Sequence, residues 1–360
     1  MKKLKRLAFL ASLAVTVPLA ACGGSGGSTD LAEAPANLDK PASGKLRVFA
    51  YAAAVTPEMM DPFKKQNPDL DVDVATFDSN SEAAAKIAAG FKTDLVQVCL
   101  DEADPLIKKK QLRPIDTAGV PAWNKLAFHD DKGVRVNGDV IVVPISAGPI
   151  GVIYNTEKVD KEIDSYADIF DPEFAGRAAI DGTYPLPPIA MSALASGVDD
   201  PFNMSEEELD GVADYMEEHR DQLRALWASD ADLKNLHKSG EVVISDGNQG
   251  VAKQMADEGI PVKWVAPKEG TLSWVCGWSI AADAQNLDAA YRMINWQSSP
   301  EAEAIQGENG YVVTNPDAIP LIDPEDREIA DPASLKDAIP ETYPPDYDQW
   351  TKNFEAFRAG

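Results

Sequence analysis

Beyond residue 44 the chain alternates short apolar runs with amphipathic stretches. Lys45–Tyr51 (KLRVFAY) is rich in strand formers, and a helix expected from Pro57 carries Met59, Met60 and Phe63 at helical spacing. Leu70–Phe77 sets Val72, Val74 and Phe77 among polar residues, as a half-buried strand does. Ser79-Asn80-Ser81-Glu82 offers N-cap chemistry to the alanine-rich helix that runs to Ala89. Asp94–Cys99 (DLVQVC) reads as an apolar strand, followed by a helix over Pro105–Lys110 and a turn into Leu112–Ile115. Continuous apolar strands in a β-α-β-α-β succession predict an α/β fold whose sheet is covered on both faces.

The second half repeats this logic with different sequences. Asp139–Pro144 and Ile150–Tyr154 are expected as two strands and Ala178–Asp181 as a third. Ser205 and Glu208 have the spacing of a capping box. They open a helix whose apolar positions Leu209, Val212, Met216, Leu223, Leu226 and Trp227 keep near one face. Glu241–Ser245 is a strand leading to Asp246–Gly250, and Val251–Glu258 continues as a helix. Ser273–Ser279 sets two indoles and a thiol within seven residues. Tyr343 and Tyr347 fall in a Pro- and Asp-rich stretch expected to wrap the surface before a last helix near Asp348–Phe357.

Charge changes the picture at the N-terminus. Lys2, Lys3, Lys5 and Arg6 precede an apolar run, Leu7–Ala21, too short to span a bilayer and laid out as a secretory signal. Gly23–Gly44 is rich in Gly, Ser, Pro and Ala without apolar periodicity, which predicts a flexible tether. The formal charge is −26, and loss of residues 1–21 removes only cations. So acidic a chain lacks the basic footprint that a nucleic acid requires. With 44% hydrophobic residues, residues 45–360 suffice for two lobes of ordinary size.

No G-x-S-x-G, H-E-x-x-H, Walker or C-x-x-C motif is present, and neither a metal nor a cofactor is expected. His129, His219 and His237, the only histidines, are read as solvated surface residues.

Leu19-Ala20-Ala21-Cys22 resembles a bacterial lipobox, in which the cysteine is acylated. Further on, Leu46–Phe63, Asp94–Pro114, Gly151–Asn155, Ser165–Pro172, Pro267–Gly270, Ala289–Trp296 with Ser299-Pro300-Glu301, and Asn309-Gly310-Tyr311 occur in a distinctive order. Together they resemble the extracellular solute-binding proteins of ABC importers, in the branch that binds spermidine and putrescine. The resemblance implies a two-lobed α/β fold of the periplasmic-binding-protein type, closing by a hinge on a ligand in the interlobe cleft. Lobe 1 would be 45–149 plus 276–320 and lobe 2 150–275 plus 321–360, with 1–21 the signal peptide and 22–44 the lipidated cysteine and tether. Crossings fall near Gly148-Pro149-Ile150, at Val275-Cys276 and close to Leu321. A monomer is implied, exported, held by lipid on Cys22 at the outer face of the cell membrane or on its periplasmic side, and delivering a small molecule to permease subunits.

The ligand positions of that branch are only partly kept. Tyr51 supplies the aromatic after the first strand, and Cys99 and Asp101 stand where the branch has a serine and an aromatic. Asp181, Thr183 and Tyr184 flank the position of its acid pair. Ser245 replaces a tryptophan, with Asp246 and Asn248 after it, and Trp274-Val275-Cys276 keeps the indole of a Trp-x-Asp but loses the carboxylate. Trp278 and Tyr311 complete the expected ligand set. A buried ammonium needs carboxylate partners. Asp101, Asp181 and Asp246 could supply them from other positions, with Tyr51, Trp274 and Trp278 as cation–π faces. The ligand is therefore a polyamine or other cationic nitrogen compound, the alternative being an uncharged or zwitterionic metabolite held by Ser245, Asn248 and Gln249. A cell-surface hydrolase or structural lipoprotein on the same fold is the reading from another class. In an oxidising setting Cys99 and Cys276, both placed by the resemblance near the cleft edge, are expected to pair, the alternative being two buried thiols.

Overall fold

A computed structural model describes residues 30–360, so the segment expected as a signal peptide over 1–21 and Cys22 lie outside the described residues. One sheet runs through the molecule. In chain order its main strands are β1 (Ser43–Ala50), β2 (Asp69–Thr76), β3 (Leu95–Cys99), β4 (Val143–Asn155), β5 (Ala178–Asp181), β6 (Leu223–Trp227), β7 (Ile244–Asn248), β8 (Val262–Val265) and β9 (Leu272–Ala281). Across the sheet they lie as β2-β1-β3-β9-β4-β7-β5-β6, with β8 against β4. β1 is parallel to β2 and β3, and β5 is parallel to β6 and β7. Two such parallel halves are joined by the long antiparallel pair β4 and β9, which runs from Leu272 opposite Ile150 to Trp278 opposite Val143 with a register shift between Cys276 and Gly277.

Each half buries both faces of its sheet. In the first, Leu46, Val48, Trp278 and Tyr291 pack on one side and Phe49, Val96, Val98 and Leu106 on the other. In the second, Val152, Ile180 and Ile189 form one core and Ile153, Ala179, Trp227 and Met255 the other. Burial on both sides explains why β3 has no polar alternation: all five of its residues are buried. Each fully buried large aliphatic or aromatic side chain contributes roughly 1.5–3 kcal/mol, so every face is a substantial core. The caps behave as their chemistry requires: Ser79 accepts from the Glu82 N–H, and Ser205 and Glu208 close a reciprocal capping box.

Four local expectations are corrected. The capped helix covers only Glu206–Glu218; Leu223–Trp227 is strand β6, paired in parallel beside β5 with Trp227 buried. The two expected strands over 139–154 become one, Val143–Asn155, while Asp139–Val140 forms a hairpin with Arg135–Val136. Residues 30–44, expected as tether, are docked. Ala32 is fully buried, its N–H donates to the Pro114 carbonyl, and Arg113 and Arg292 donate to the carbonyls of Asp30, Leu31, Asn37 and Leu38. Finally, Ile322 and Ala330 pack with Ala304, Val313 and Ala318, so the chain stays beside the first half past Leu321. It joins the second half only where Ile339 pairs with Leu272, and the helix Tyr347–Ala359 then buries Trp350, Phe354 and Phe357 there.

Candidate functional site

The carboxyl ends of the parallel strands in the two halves face each other across the β4–β9 junction, the position where open α/β sheets hold ligands. A cavity of about 650 Å³ lies between them. β1 and β3 deliver Tyr51, Gln97 and Cys99 to one wall; β5, β6 and β7 deliver Asp181, Trp227, Asp246 and Asn248 to the other, and β9 adds Trp274 and Cys276.

The first wall is held by a chain of amides. Gln97 accepts the Tyr51 N–H at 3.1 Å, while Asn80 donates to the Gln97 carbonyl at 2.9 Å and accepts the Cys99 N–H at 2.8 Å. Tyr51 packs edge-on against Phe77 with centroids 4.6 Å apart. Cys99 and Cys276, opposite one another in the β3–β9 pairing, form a disulfide with Cα atoms 3.9 Å apart.

The second wall is built around two carboxylates. Asp246 accepts the Trp227 indole N–H at 2.7 Å and the Asp181 N–H at 3.3 Å, and Asp181 accepts from both the N–H and the hydroxyl of Thr183 at 2.7 Å. Burial pushes Asp246 up to about 7. Burial, and then the charge of Asp246, push Asp181 well above the usual carboxylate range. Trp274 donates to Asn248 Oδ1 at 2.5 Å and meets Tyr311 edge-on at 5.9 Å. Its ring lies over Gly148, where a Cβ would come within 2.8 Å, so only glycine leaves room for the indole.

A second acidic group sits beside this cavity where the halves meet. Asp101 is 1% exposed and neither of its carboxylate oxygens has a hydrogen-bond partner from another residue. Burial first, and then Glu102, push it up to about 8. Glu102 instead is well supplied: it accepts from Ser81 Oγ at 3.0 Å, the Asn80 N–H at 3.2 Å and the Tyr347 hydroxyl at 3.3 Å. Glu341 is 4% exposed, takes only the Tyr184 hydroxyl at 3.5 Å on Oε2, and leaves Oε1 unpartnered. Burial and then Asp101, Asp181 and Glu102 push Glu341 well up. Among the described residues no group of three or more His, Cys, Asp or Glu is arranged to hold a metal.

Of the residues singled out in the sequence, Tyr51, Cys99, Asp181, Thr183, Tyr184, Asp246, Asn248, Trp274, Cys276 and Tyr311 line the cavity, and Asp101 is buried outside its wall. Two do not belong there. Trp278 is wholly inside the first half's core, because β9 has by then left the junction and runs beneath the helix Leu287–Gln297. Ser245 points opposite to its neighbour Asp246, as adjacent strand residues must, and bonds His237 Nε2 at 2.9 Å. His237, expected at the surface, is 1% exposed, and burial pushes its imidazole down to about 4. This Ser–His pair is sealed from the cavity, and His237 Nδ1 has no partner to orient it. The sequence reading missed Gln97, Trp227, Glu102 and Glu341. Gln97 had a signal, a lone polar residue inside an apolar strand; Glu341 had none, since its burial depends on a contact across the junction.

The model of the bacterial extracellular solute-binding proteins matches residues 58–336. A putrescine/agmatine-binding protein of Pseudomonas aeruginosa is 26% identical over 312 residues, covering 80% of this chain and 83% of its own. A spermidine/putrescine-binding periplasmic protein of Escherichia coli is 26% identical over 292 residues, covering 78% and 80%. Among solved structures, the spermidine/putrescine ABC transporter substrate-binding protein of Streptococcus pneumoniae superposes with a TM-score of 0.72 at 21% identity, covering 88% of this chain and 100% of its own. A binding protein of A. tumefaciens in complex with glucopine gives 0.72 at 20% identity, covering 88% and 100%. These structures share the two-lobed fold, and their ligands differ. Matched over most of its length, this chain belongs to the bacterial extracellular solute-binding protein family.

Proposed function

We propose that this chain is the receptor of an ABC importer and captures a small organic cation of the amine class, polyamines foremost, between its two halves. The observation that carries this reading is the Asp181–Asp246 pair in the cavity wall, whose charges are offset by no lysine or arginine. Buried carboxylates without a cation are costly, and a ligand ammonium would supply the missing partner. The rings of Tyr51, Trp227, Trp274 and Tyr311 give a methylene chain apolar walls and a cation several π faces. The relatives named as putrescine and spermidine binders support the same class. A zwitterionic ligand is the second reading, favoured by Lys234 in the same wall, which donates to Gln254 at 2.7 Å and could turn to a carboxylate.

Capture proceeds without turnover in this reading, and closure about the β4 and β9 crossings commits the solute before transfer to the permease. Lipid on Cys22 holds the receptor beside that permease. Among the described residues no helix is long and apolar enough to cross a membrane. Isothermal titration against polyamines, choline-like compounds, amino acids and opines, with product analysis of the same mixtures, tests the reading. Saturable binding of an amine that is recovered unchanged is expected; consumption of a compound without stable binding would overturn it. Cys22→Ser should move the protein from the membrane fraction to the medium or periplasm.

A further inference from the structure

Where the chain leaves the cavity wall after β7 it enters the helix Gln249–Asp257, whose Val251, Ala252 and Met255 pack in the second half. Its second residue, Gly250, lies against the Asn309–Gly310 backbone, which ends the helix Pro300–Glu308 of the first half. A Cβ on Gly250 would come within 3.1 Å of the Gly310 carbonyl oxygen and 3.2 Å of that of Asn309, and one on Gly310 within 2.8 Å of the Gly250 Cα. Gly310 has a φ of +85°, which favours glycine in any case, whereas Gly250 sits in helical backbone that other residues adopt freely. Glycine at 250 therefore answers to the close approach alone, at some expense to its helix.

Polar contacts flank this meeting of backbones. Lys253 Nζ reaches Asp326 of the first half at 3.3 Å and is steadied within its own helix by Asp257 at 2.8 Å. The Lys253 and Asp326 side chains are 18% and 13% exposed, so the pair is shielded more than a surface ion pair. Gln254 donates from Nε2 to the Asn309 carbonyl at 3.2 Å and accepts Lys234 Nζ on Oε1 at 2.7 Å. Lys234 lines the cavity, and so does Tyr311, whose hydroxyl also meets the Gln254 amide. One amide thus touches the opposite half at one end and the cavity wall at the other.

We propose that the Gln249–Asp257 helix and the Asn309–Gly310 loop form the latch of the closed receptor, with Gln254 as the positioning residue that couples it to the cavity. The inference rests on the receptor reading above and is independent of the ligand's class. Backbone against backbone leaves no side chain to swing aside, so the halves close in one register. A solute that orders Lys234 and Tyr311 holds the Gln254 amide in the orientation that donates to Asn309, and occupancy thereby favours closure. The latch acts after encounter, so it sets residence time and not association.

Carbodiimide crosslinking of the ligand-free chain, mapped by peptide mass, reads the latch without any solute. Two zero-length bonds are expected at Lys253, one to Asp257 within the helix and one to Asp326 across the halves. Gly250→Leu should keep the first and lose most of the second. Absence of the Asp326 bond from the unsubstituted chain, or its full yield in Gly250→Leu, would overturn the latch. Stopped-flow fluorescence with putrescine as probe supplies the kinetics. In Gly250→Ala and in Gln254→Leu dissociation should quicken by roughly tenfold while association changes by less than about twofold. Without ligand Gly250→Ala should melt no lower than the unsubstituted chain, since alanine is the better helix former. Unchanged dissociation in both variants, or faster dissociation accompanied by a lowered melting temperature in Gly250→Ala, would count against the latch. If no amine binds, the amine reading falls and the crosslinks alone decide the latch.

Discussion

The two walls of the cleft handle negative charge in opposite ways. In the second half Asp246 and Asp181 are fitted with an indole N–H, a backbone N–H and the two donors of Thr183, so their geometry is fixed before any ligand arrives. Across the junction Asp101 is left with nothing. The second wall is a preorganised acceptor; the acid buried behind the first is left unmet. A receptor needs both, because a preformed wall gives affinity by avoiding ordering costs, whereas an unmet charge makes the closed state depend on what is inside it.

Substitutions can break this contrast in graded steps. Asp246→Ala removes the fixed acceptor and leaves Trp227 and Asp181 without it; amine affinity should fall by about two to three orders of magnitude, in line with the 2–5 kcal/mol typical of a buried charge partner, as measured by calorimetry. An unchanged affinity would take the second wall out of the site. Trp274→Ala removes a stacking face and should weaken binding by roughly five- to thirtyfold, a cation–π contribution of about 1–2 kcal/mol. It should also reduce the ligand-induced change in tryptophan fluorescence, leaving only the part reported by Trp227.

The pH dependence of ligand-free stability sharpens the contrast further. Asp101, at about 8, and Asp246, at about 7, hold protons in the folded state that the unfolded chain releases near 4. The folded state therefore binds more protons between these values, and stability contributed by them falls as pH rises from about 4 to about 8. His237 acts oppositely but lower: burial holds it near 4, so the unfolded state takes up the proton first and the stability it contributes is lost as pH falls from about 6.5 to about 4. Two acids outweigh one imidazole, so thermal melts at closely spaced pH values should show stability declining from about pH 4 toward pH 8, and saturating ligand should reduce the decline. A melting temperature that rose steadily to pH 8 would contradict the buried acids. The smallest effect belongs to Tyr347→Phe. It deletes one of three donors on Glu102, and closed-state stability should drop by about 0.5–1.5 kcal/mol, seen as a severalfold weaker ligand affinity.

Much of the frame was legible because its signals are local. The Ser205–Glu208 box, the Ser79 cap, the apolar runs of β1 and β3 and the polar break at Asp246–Asn248 each act within a few residues of where they are written. Trp274 was legible too, since an indole on a strand entering a junction has few alternatives to a wall. What failed to show depends on partners far along the chain. Trp278 lies in the same indole-rich stretch as Trp274 but not in its environment, because β9 passes from cleft to core between them. Leu223–Trp227 carries a helical stripe, yet the open edge of β5 claims it as a strand. Tyr347 looked like surface wrapping in a proline-rich tail and instead meets Ser81 and Glu102 of the first half. Ala32 looked like linker, and the Pro114 carbonyl, which accepts its N–H, and the Tyr291 hydroxyl, which donates to its carbonyl, make it part of the body.

The Cys99–Cys276 bond spans 177 positions, and what lies between them is the part of the first half that follows β3, up to β4, and then nearly all of the second half. In chain-entropy terms a ring of that size is worth about 5 kcal/mol to the folded state. Its position matters as much as its size. The second half hangs from the first like a bead on a closed noose, so its melting cannot pull β9 away from β3. A protease that nicked any exposed turn between the two cysteines would leave both fragments on one molecule, parted only by a reductant.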